Sequence, residues 1–569
     1  MSTKGISVLI TLFFAALCIV LIVVKLKKPG GTPSASNGVS VKEKPREGAL
    51  TLQFHSSSAK KSWIDVVTEE FNRKEIEVDG KPIAVQVTHV NSGDSLQQIK
   101  DGLAQPEIWS PGDDSWIRLA NEYWRNIHSR AFIGNAKPLV NVPLVIAMWE
   151  PMAKALGYPD KPLGWTDIAR LAADPKGWGV YGHSEWGKFK WGHAHPEANS
   201  GFLTVLSEIY AFLGKTSGMT VDDLKNPKVK DFLKTAESAV EHYGLSNSWI
   251  DTFMRTKGPG YLSAATQYEN TIIESNKQYG SAPFKLLAIY PKEGAFWTQH
   301  PAGIPDADWV TPEERKAGEI YIDYLVQGDV QQKAMELGLR PIRKDLGLTS
   351  PFTEEFGVKR DIDAAKIFDV PDERILKRVR ELWDEAKMPA SIALLLDISG
   401  SMQGEPLENA KKGAVMFIDK MNKWDELEVI TFSDEITKLA PLDKVQNNGE
   451  SAKAKIQTLF SQSGTRLFDA MQEGLDTVLK RMEKVPNRRY GLVVLSDGQD
   501  TRSKLNKYDF IDKLPTGDNP NVIKLFTIAY GGQADKELLT EIANATNARM
   551  FQSTAQEIGK VYLELSANF

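Results

Sequence analysis

The sequence predicts an α/β protein with a two-lobed domain followed by a doubly wound, Rossmann-like domain. Short apolar strands alternate with amphipathic helices through residues 50–348 and again after residue 390. This alternation is typical of mainly parallel sheets covered by helices. The chain has 569 residues, which is too long for one hydrophobic core. Because the first stretch is also longer than a single small sheet needs, we expect two lobes in it.

Charge and cysteine content narrow the function. The net charge is −5, with acidic and basic residues interspersed. Nucleic-acid binding usually requires a basic patch or stripe, so we expect no nucleic-acid partner. The single cysteine, Cys18, excludes an intramolecular disulfide.

The N-terminus carries an apolar run from Ile6 to Val24, broken only by Ser7 and Thr11. As a helix it would span about 28 Å, close to the thickness of the bilayer core. A cleavable signal has a shorter apolar core followed by small residues, and Leu17 does not suit a lipoprotein signal at Cys18. Residues 1–28 are therefore predicted to be an uncleaved, single-pass anchor, and a cleaved signal is the alternative.

The flanks of this run leave its orientation open. Lys4 precedes it, whereas Lys25, Lys27 and Lys28 follow it, a bias that points weakly to a cytoplasmic body. Large domains cross membranes largely regardless of such charges, so the downstream domains decide. Residues 29–48 are rich in Gly, Pro, Ser and charge, which predicts a flexible linker.

The first domain is predicted at 49–348, beginning with a strand at Leu50–Phe54 and a helix at Ala59–Asn72. That helix is expected to place four apolar residues on one face: Trp63, Val66, Val67 and Phe71. Further predicted elements are a strand at Ile83–Val90, a helix at Ser95–Leu103, an apolar stretch at Leu139–Trp149, a strand at Lys285–Tyr290 and a helix at Glu313–Gln327. Residues 349–388 have a helical pattern through Ile375, Val379 and Trp383, and we expect a packed connector there.

Three serines follow the first strand. Ser56, Ser57 and Ser58 stand before the helix, where backbone N–H groups at the positive helix end can bind an anion or a polar ligand. Ordinary N-capping would explain one serine but not a run of three. A second helix start contains Asn199 and Ser200, which could cap that helix or donate to a ligand.

The last domain, predicted at 389–569, has carboxylates and hydroxyls at the ends of strands. Ser391–Leu396 is a wholly buried type of strand and runs into Asp397, Ser399 and Ser401. Such hard oxygen ligands suit Mg²⁺ or a similar ion. Two further candidates, Thr465 and Asp497, precede a helix and follow the strand Gly491–Ser496, respectively. Since ligands of open α/β sheets bind beyond the carboxyl ends of strands, the five are expected to converge.

These segments, DISGSM, SGTRLFDA and LVVLSDG, resemble the metal-ion-dependent adhesion site of von Willebrand factor A domains. The resemblance implies that Ser399, Ser401 and Thr465 give hydroxyls to Mg²⁺, or to Mn²⁺ or Ca²⁺. It also implies that Asp397 and Asp497 sit close to the ion, often through water. An open position would accept an acidic group from an unidentified protein partner. The alternative is an A domain that has lost its metal.

The first domain resembles type 2 extracellular solute-binding proteins, a periplasmic-binding-protein-like fold. The segments that carry the resemblance are NVPLVIAMWEPMAKALG, HPEANSGF, Gln267-Tyr268-Glu269 and IYPKEGAFWTQHPAGI. The resemblance implies a small solute held between two lobes and contacted from helix N-termini. The ligand-binding candidates are Ser57, Ser58, Asn199, Ser200 and Tyr268. Trp186 and Trp191 could add stacking, but large aromatics more often belong to the core.

The sequence gives no support for catalysis. His193 and His195 alternate and lack a clear third metal ligand, and they are interpreted as ordinary polar histidines. No Ser–His–Asp order, paired-carboxylate motif, Walker loop or dinucleotide fingerprint stands at a suitable strand–helix junction. We therefore expect a membrane-anchored, extracytoplasmic binding protein that is not an enzyme. The alternatives are a cytoplasm-facing adaptor of an AAA+ ATPase and an enzyme that uses the two-lobed cleft.

Overall fold

The computed structural model describes residues 48–569 except 245, 281–283, 363–365, 497–498, 516–522, 531–533, 547, 554–557, 559–560, 563–564 and 566–569. The predicted anchor at 1–28 and the linker up to residue 47 lie outside the described residues. Within the described ranges, no helix combines the length and the apolarity needed to cross a bilayer.

The first lobe is built on a sheet with the strand order β2-β3-β1-β4-β12-β5, in which β1 runs parallel to β3 and β4. Its strands are β1 (Leu50–Ser56), β2 (Glu77–Val78), β3 (Lys81–His89), β4 (Ile108–Ser110), β5 (Ala136–Lys137) and β12 (Ala302–Gly303). Its helices are α1 (Lys61–Arg73), α2 (Ser92–Lys100), α3 (Asp114–His128), α11 (Pro312–Leu325) and α12 (Gly328–Glu336).

The second lobe is built on a sheet with the strand order β10-β6-β9-β7-β8, and β11 and β13 also pair with β6. Its strands are β6 (Val140–Trp149), β7 (Trp191–Ala194), β8 (Val240–Gly244), β9 (Ala264–Tyr268), β10 (Leu286–Ile289), β11 (Trp297–Thr298) and β13 (Arg340–Pro341). Its helices are α4 (Glu150–Ala155), α5 (Trp165–Ala173), α6 (Asn199–Leu213), α7 (Val221–Lys225), α8 (Pro227–Ser238), α9 (Asn247–Lys257) and α10 (Glu269–Gln278).

Two details of this domain differ from expectation. In the second sheet β6 is antiparallel to β9 and β10, and in the first sheet β12 is antiparallel to β4 and β5. Both sheets are therefore mixed rather than mainly parallel. On α1, Val66 is 42 % exposed, and the buried face instead includes Ile64 and Thr68 beside Trp63. The 3.6-residue period allows either neighbour of a stripe to face the core, and packing decides between them.

The third sheet has the order β16-β15-β14-β17-β18-β19, and only its β15–β16 pair is antiparallel. Its strands are β14 (Ala390–Asp397), β15 (Glu426–Phe432), β16 (Ile436–Lys444), β17 (Arg489–Ser496), β18 (Lys524–Tyr530) and β19 (Met550–Ser553). Helices α14 (Glu405–Lys420), α15 (Val445–Gln457), α16 (Leu467–Lys484), α17 (Lys507–Ile511) and α18 (Lys536–Ala545) accompany it. Apolar cores lie on both faces of this sheet, which makes the domain doubly wound.

The connector contains the helix α13 (Glu373–Ala386), which buries the predicted stripe of Ile375, Val379 and Trp383. Asp372 caps its N-terminus by accepting from the backbone N–H groups of Arg374 and Ile375. The helix ends four residues before β14 begins, so it leads directly into the central strand of the last domain.

Candidate functional sites

The strand β14 delivers Asp397 to the carboxyl edge of the third sheet, where its side chain is fully buried. One carboxylate oxygen accepts from the backbone N–H of Ser399 at 2.8 Å. The other accepts from the hydroxyl of Ser496, at the end of β17, at 2.7 Å. These bonds fix the carboxylate at the edge where ligands of such sheets bind.

Ser399 immediately precedes a short 3-10 turn at Gly400–Met402 and Ser401 lies within it, and their hydroxyl oxygens are 3.0 Å apart. Ser399 is buried, whereas Ser401 is exposed to solvent. The pair therefore presents two hydroxyls from one loop toward a common point, next to the carboxylate of Asp397.

Thr465 lies in a neighbouring loop that is bonded to this one. Gln462, three residues earlier, donates its backbone N–H to the carbonyl of Ile398 at 2.7 Å. The carbonyl of Thr465 accepts from the N–H groups of Thr501 and Arg502, and its own N–H donates to the Thr501 hydroxyl at 3.0 Å. The Thr465 side chain is buried. The contacts hold it beside the serine loop, although no hydrogen bond among the described residues joins it to Ser399 or Ser401.

The fifth predicted ligand, Asp497, lies outside the described residues. Its chain neighbour Ser496 bonds Asp397, and the sequence reasoning missed this serine although it immediately precedes the second aspartate. Within the described ranges, no three His, Cys, Asp or Glu side chains gather at one point. The donors found here, one carboxylate with neighbouring hydroxyls, are hard oxygen ligands that fit a divalent ion such as Mg²⁺.

In the first domain, helix N-termini from both lobes meet across the cleft. Asn199, in the first turn of α6, accepts from the indole N–H of Trp116 at 2.6 Å and donates to the Tyr268 hydroxyl at 2.6 Å. A Cβ at Gly112 would lie only 2.5 Å from the Asn199 amide. The backbone of Gly112 on the first lobe therefore packs directly against the Asn199 side chain of the second. Asn199 and Tyr268 therefore share one bonded cluster that joins the lobes.

Two of the predicted serines, Ser57 and Ser200, have hydrogen-bond partners within the protein. Ser200 donates to the side-chain carbonyl of Asn247 at 2.7 Å. Ser57 is the N-cap of the turn at Ser58–Lys60, accepting from the N–H of Ala59 at 3.4 Å. Ser58 is half-buried. The structure thus places Ser57 and Ser58 on one lobe and Ser200 on the other, and no hydrogen bond in the described part of the chain joins the two groups.

Two buried residues near the cleft, Lys60 and His300, were not predicted from the sequence as ligand-binding candidates. Lys60 is fully buried and donates to the carbonyl of Ser110 at 2.9 Å. Burial lowers the pKa of Lys60 well below its usual value. Lys60 stands two residues after the last serine of the run, so a cationic residue close to three potential donors was the available signal.

His300 is also fully buried, and neither ring nitrogen has a hydrogen-bond partner among the described residues. Its ring lies 5.8 Å from that of Tyr268, and burial, with a smaller effect from the charge of Lys60, lowers its pKa well below the usual range. Its backbone φ is +45°, a region that a non-glycine residue seldom adopts and that often marks a functional position.

Among the remaining aromatic and histidine candidates, Trp191 and His193 belong to the core, and Trp186 is partly buried against it. Trp191 is fully buried, and Trp186 stacks on His183 with ring centroids 3.8 Å apart. His193 is fully buried and its ring nitrogen lies 3.4 Å from the carboxylate of Glu237.

A two-lobed domain whose cleft is lined by helix N-termini, joined to a Rossmann-like domain with an oxygen-rich loop, defines a class of binding proteins. The model of bacterial extracellular solute-binding proteins matches residues 52–340, half of the chain, and the model of the von Willebrand factor type A domain matches residues 391–562. The chain belongs to the bacterial extracellular solute-binding proteins and carries a von Willebrand factor A domain at its C-terminal end. The predicted fold class and family are confirmed, and both families are families of binding proteins.

Individual relatives match little more than a quarter of this chain. An uncharacterized protein of Synechocystis sp. is 29 % identical over 159 residues, 28 % of this chain and 36 % of that protein. The inter-alpha-trypsin inhibitor heavy chain H3 of Homo sapiens is 22 % identical over 160 residues, 27 % of this chain and 18 % of that protein. The matched segments thus span little more than a third of these relatives or less.

Solved structures resemble each domain separately. The periplasmic binding protein P5PA is 13 % identical, with a TM-score of 0.40, over 59 % of this chain and 98 % of that one. The von Willebrand factor type A protein from Catenulispora acidiphila is 16 % identical, with a TM-score of 0.27, over 32 % of this chain and 42 % of that one.

Proposed function

We propose that this protein is a membrane-anchored, extracytoplasmic binding protein that holds a small anionic solute in its cleft and a protein partner at a metal site. The observation that carries the proposal is the preorganised loop, in which Asp397 accepts two hydrogen bonds while the hydroxyls of Ser399 and Ser401 converge. Support for the location comes from the extracellular solute-binding family match and from the apolar run before residue 25.

At the metal site, Ser399, Ser401 and Thr465 would supply hydroxyls, and Asp397 and Asp497 would balance the charge. The bound ion would attract a carboxylate from the partner. The chain's own part is to hold the ligands in place: Ser496 and the N–H of Ser399 orient Asp397 before any ion arrives, so little ordering has to accompany binding.

Calorimetry of the full chain in detergent tests the metal site. Wild type should bind Mg²⁺ or Mn²⁺, and Asp397→Ala should weaken binding at least about 100-fold, since removing a charged ligand costs several kcal/mol. Ser463→Ala is the matched control, because the Ser463 hydroxyl donates to Asp434 at 2.6 Å rather than to the site. Equal binding by wild type and Asp397→Ala would refute the metal site.

In the cleft, the donors favour an anion. Helix N-termini carry partial positive charge, and Lys60 and His300 add groups whose charged forms are suppressed by burial. An anionic solute would favour those charged forms, because an opposite charge nearby raises the pKa of lysine and histidine. Solute binding should therefore take up protons, and affinity should rise as the pH falls.

A thermal-shift panel of oxyanions, carboxylates and neutral sugars tests the cleft in the full chain. An anion that binds only the folded state should raise the melting temperature, and Lys60→Met should erase the shift without lowering the melting temperature of the free protein. Ser57→Ala with Ser58→Ala should also reduce the shift. If only neutral sugars shift the transition, the solute is not anionic; if nothing does, the cleft does not bind solute.

The anchor and its orientation are tested by protease treatment of spheroplasts. The body should be degraded while cytosolic markers survive. Full protection of the body would instead favour the cytoplasm-facing adaptor of an AAA+ ATPase. Turnover of any compound by the purified protein would favour an enzyme that uses the cleft.

A further inference from the structure

The connector helix α13 (Glu373–Ala386) touches both lobes at the rim of the cleft. The guanidinium of Arg380 lies 4.7 Å from the ring centroid of Trp116 on the first lobe and 4.2 Å from that of Phe202 on the second. The two rings are 6.1 Å apart. Arg380 therefore sits over an aromatic pair that the lobes form only when they are in contact.

This aromatic pair is directly connected to the cleft. The indole N–H of Trp116 donates to Asn199, and Phe202 lies on α6, the helix that begins at Asn199. If the lobes part, Trp116 and Phe202 separate, and Arg380 loses one of its two rings. Its position thus depends on whether the cleft is closed.

Other contacts tie the same helix to each lobe. On the first lobe, Lys377 pairs with Glu122. On the second, the indole N–H of Trp383 donates to the buried carboxylate of Glu237 at 3.1 Å, and Glu385 pairs with Lys230 at 2.8 Å. Because α13 contacts both lobes, it has to shift or lose some of these contacts when the lobes move apart.

The helix α13 is also joined to the metal loop by a short stretch of chain. It ends at Ala386, and β14 (Ala390–Asp397) carries Asp397 at its far end. The second lobe touches the last domain at a further place, where Glu241 pairs with Lys524 at 2.9 Å and Arg489 stands 4.8 Å over the ring of Tyr243. Arg489 begins β17, which ends at Ser496, the residue bonded to Asp397.

We propose that α13, through Arg380, couples closure of the solute cleft to the metal site, so that the protein is a solute-dependent adhesion receptor. This inference rests on the proposed functions of the two sites. The ion, and through it the partner, would bind most tightly to the closed, solute-loaded state. By thermodynamic reciprocity, metal loading would stabilise the closed cleft.

Hydrogen exchange of the full chain with Mg²⁺ alone tests the coupling without knowledge of the solute. Saturating Mg²⁺ should slow exchange at residues 397–402 and, about fivefold or more, at the cleft segments 112–118 and 197–203. Arg380→Met, which keeps the length and removes the charge, should retain the first effect and lose the second. Lys387→Met is the matched control, since it removes a cation that lies 5.3 Å from the ring of Trp383 and not over the Trp116–Phe202 pair.

The outcomes separate the two proposals. Slowed exchange at 397–402 with an unchanged cleft in wild type would overturn the coupling and leave the metal site standing. No slowing at either place would overturn the metal site and the coupling with it. A cleft response that persists in Arg380→Met would overturn the role of Arg380. The wild-type comparison decides the coupling even if Arg380→Met does not fold.

Discussion

The metal loop and the solute cleft hold their polar side chains in different ways. In the loop, protein donors orient Asp397, while Ser401 remains exposed beside Ser399. In the cleft, Asn199 is buried and is bonded to Tyr268 on its own lobe and to Trp116 on the other. A ligand can therefore add to the loop as it stands, whereas a solute has to replace protein–protein bonds in the cleft. Substitutions in the loop should therefore mainly weaken metal binding. Substitutions in the Asn199 cluster of the cleft should mainly lower the free energy of unfolding.

The largest stability effect is expected for Asn199→Ala. The change leaves the indole N–H of Trp116 and the hydroxyl of Tyr268 without their 2.6 Å partners. Each buried, unsatisfied group costs about 1–3 kcal/mol, so the free energy of unfolding of the first domain should fall by about 2–4 kcal/mol. Urea denaturation, followed by tryptophan fluorescence, measures it.

Asn270→Ala is the control for that experiment. Asn270 also crosses the cleft, but with one 3.0 Å bond to the carbonyl of Ala59, so its loss should cost less. If Asn199→Ala leaves stability unchanged, the lobes are not held together by this cluster, and the contrast between cleft and loop disappears.

A smaller and pH-dependent effect is expected for Asp113→Asn. Burial raises the pKa of Asp113 from 3.8 to about 6. A carboxyl whose folded pKa is raised contributes stability that is full below pH 3.8 and is lost as the pH rises through 6. The asparagine should thus be more stable than wild type at pH 7, by up to about 3 kcal/mol, and equal to it near pH 3.

The comparison is clean because asparagine keeps the helix cap. Asp113 accepts from the backbone N–H of Ser115 at 2.8 Å, and asparagine is an equally good N-cap. Melting temperatures of both proteins across pH 3–7 give the answer. A difference that does not change with pH would show that Asp113 is not the titrating group.

The metal loop and the solute cleft also differ in how far the sequence alone predicts them. The loop could be predicted because Asp397, Ser399 and Ser401 are neighbours in the chain and follow a buried strand. The cleft could be predicted only in part. Asn199 and Tyr268 were predicted as ligand-binding residues. The hydrogen bonds that join Asn199 to Tyr268 and Trp116 depend on how the two lobes close, and no local sequence pattern predicts them.

His300 and Arg380 were not predicted for the same reason: their surroundings come from segments that are distant in sequence. His300 stands between two short strands with a positive φ. Its ring nitrogens have no hydrogen-bond partner among the described residues, and this arises only from the packing around the ring. Arg380 reads as an ordinary charged residue of an amphipathic helix, and its two aromatic neighbours come from segments far away in sequence. Spacing along the chain predicts helices and loops, but it does not predict which distant rings a side chain meets.

The smallest stability effect is expected for Ser399→Ala, and it sharpens the comparison most. The described hydroxyl contact of Ser399 is to the exposed Ser401 at 3.0 Å, and the bond from its backbone N–H to Asp397 survives the change. The free energy of unfolding should therefore change by less than about 1 kcal/mol, as for a partly solvated hydrogen bond. Affinity for Mg²⁺ should nevertheless fall about tenfold or more, which corresponds to about 1.4 kcal/mol for one lost ligand. Denaturation without metal and calorimetry with metal, on the same preparation of Ser399→Ala and of Ser463→Ala, separate the two quantities. A loss of stability as large as that of Asn199→Ala would mean that the loop, like the cleft, is held by its own polar contacts and is not preorganised for an ion.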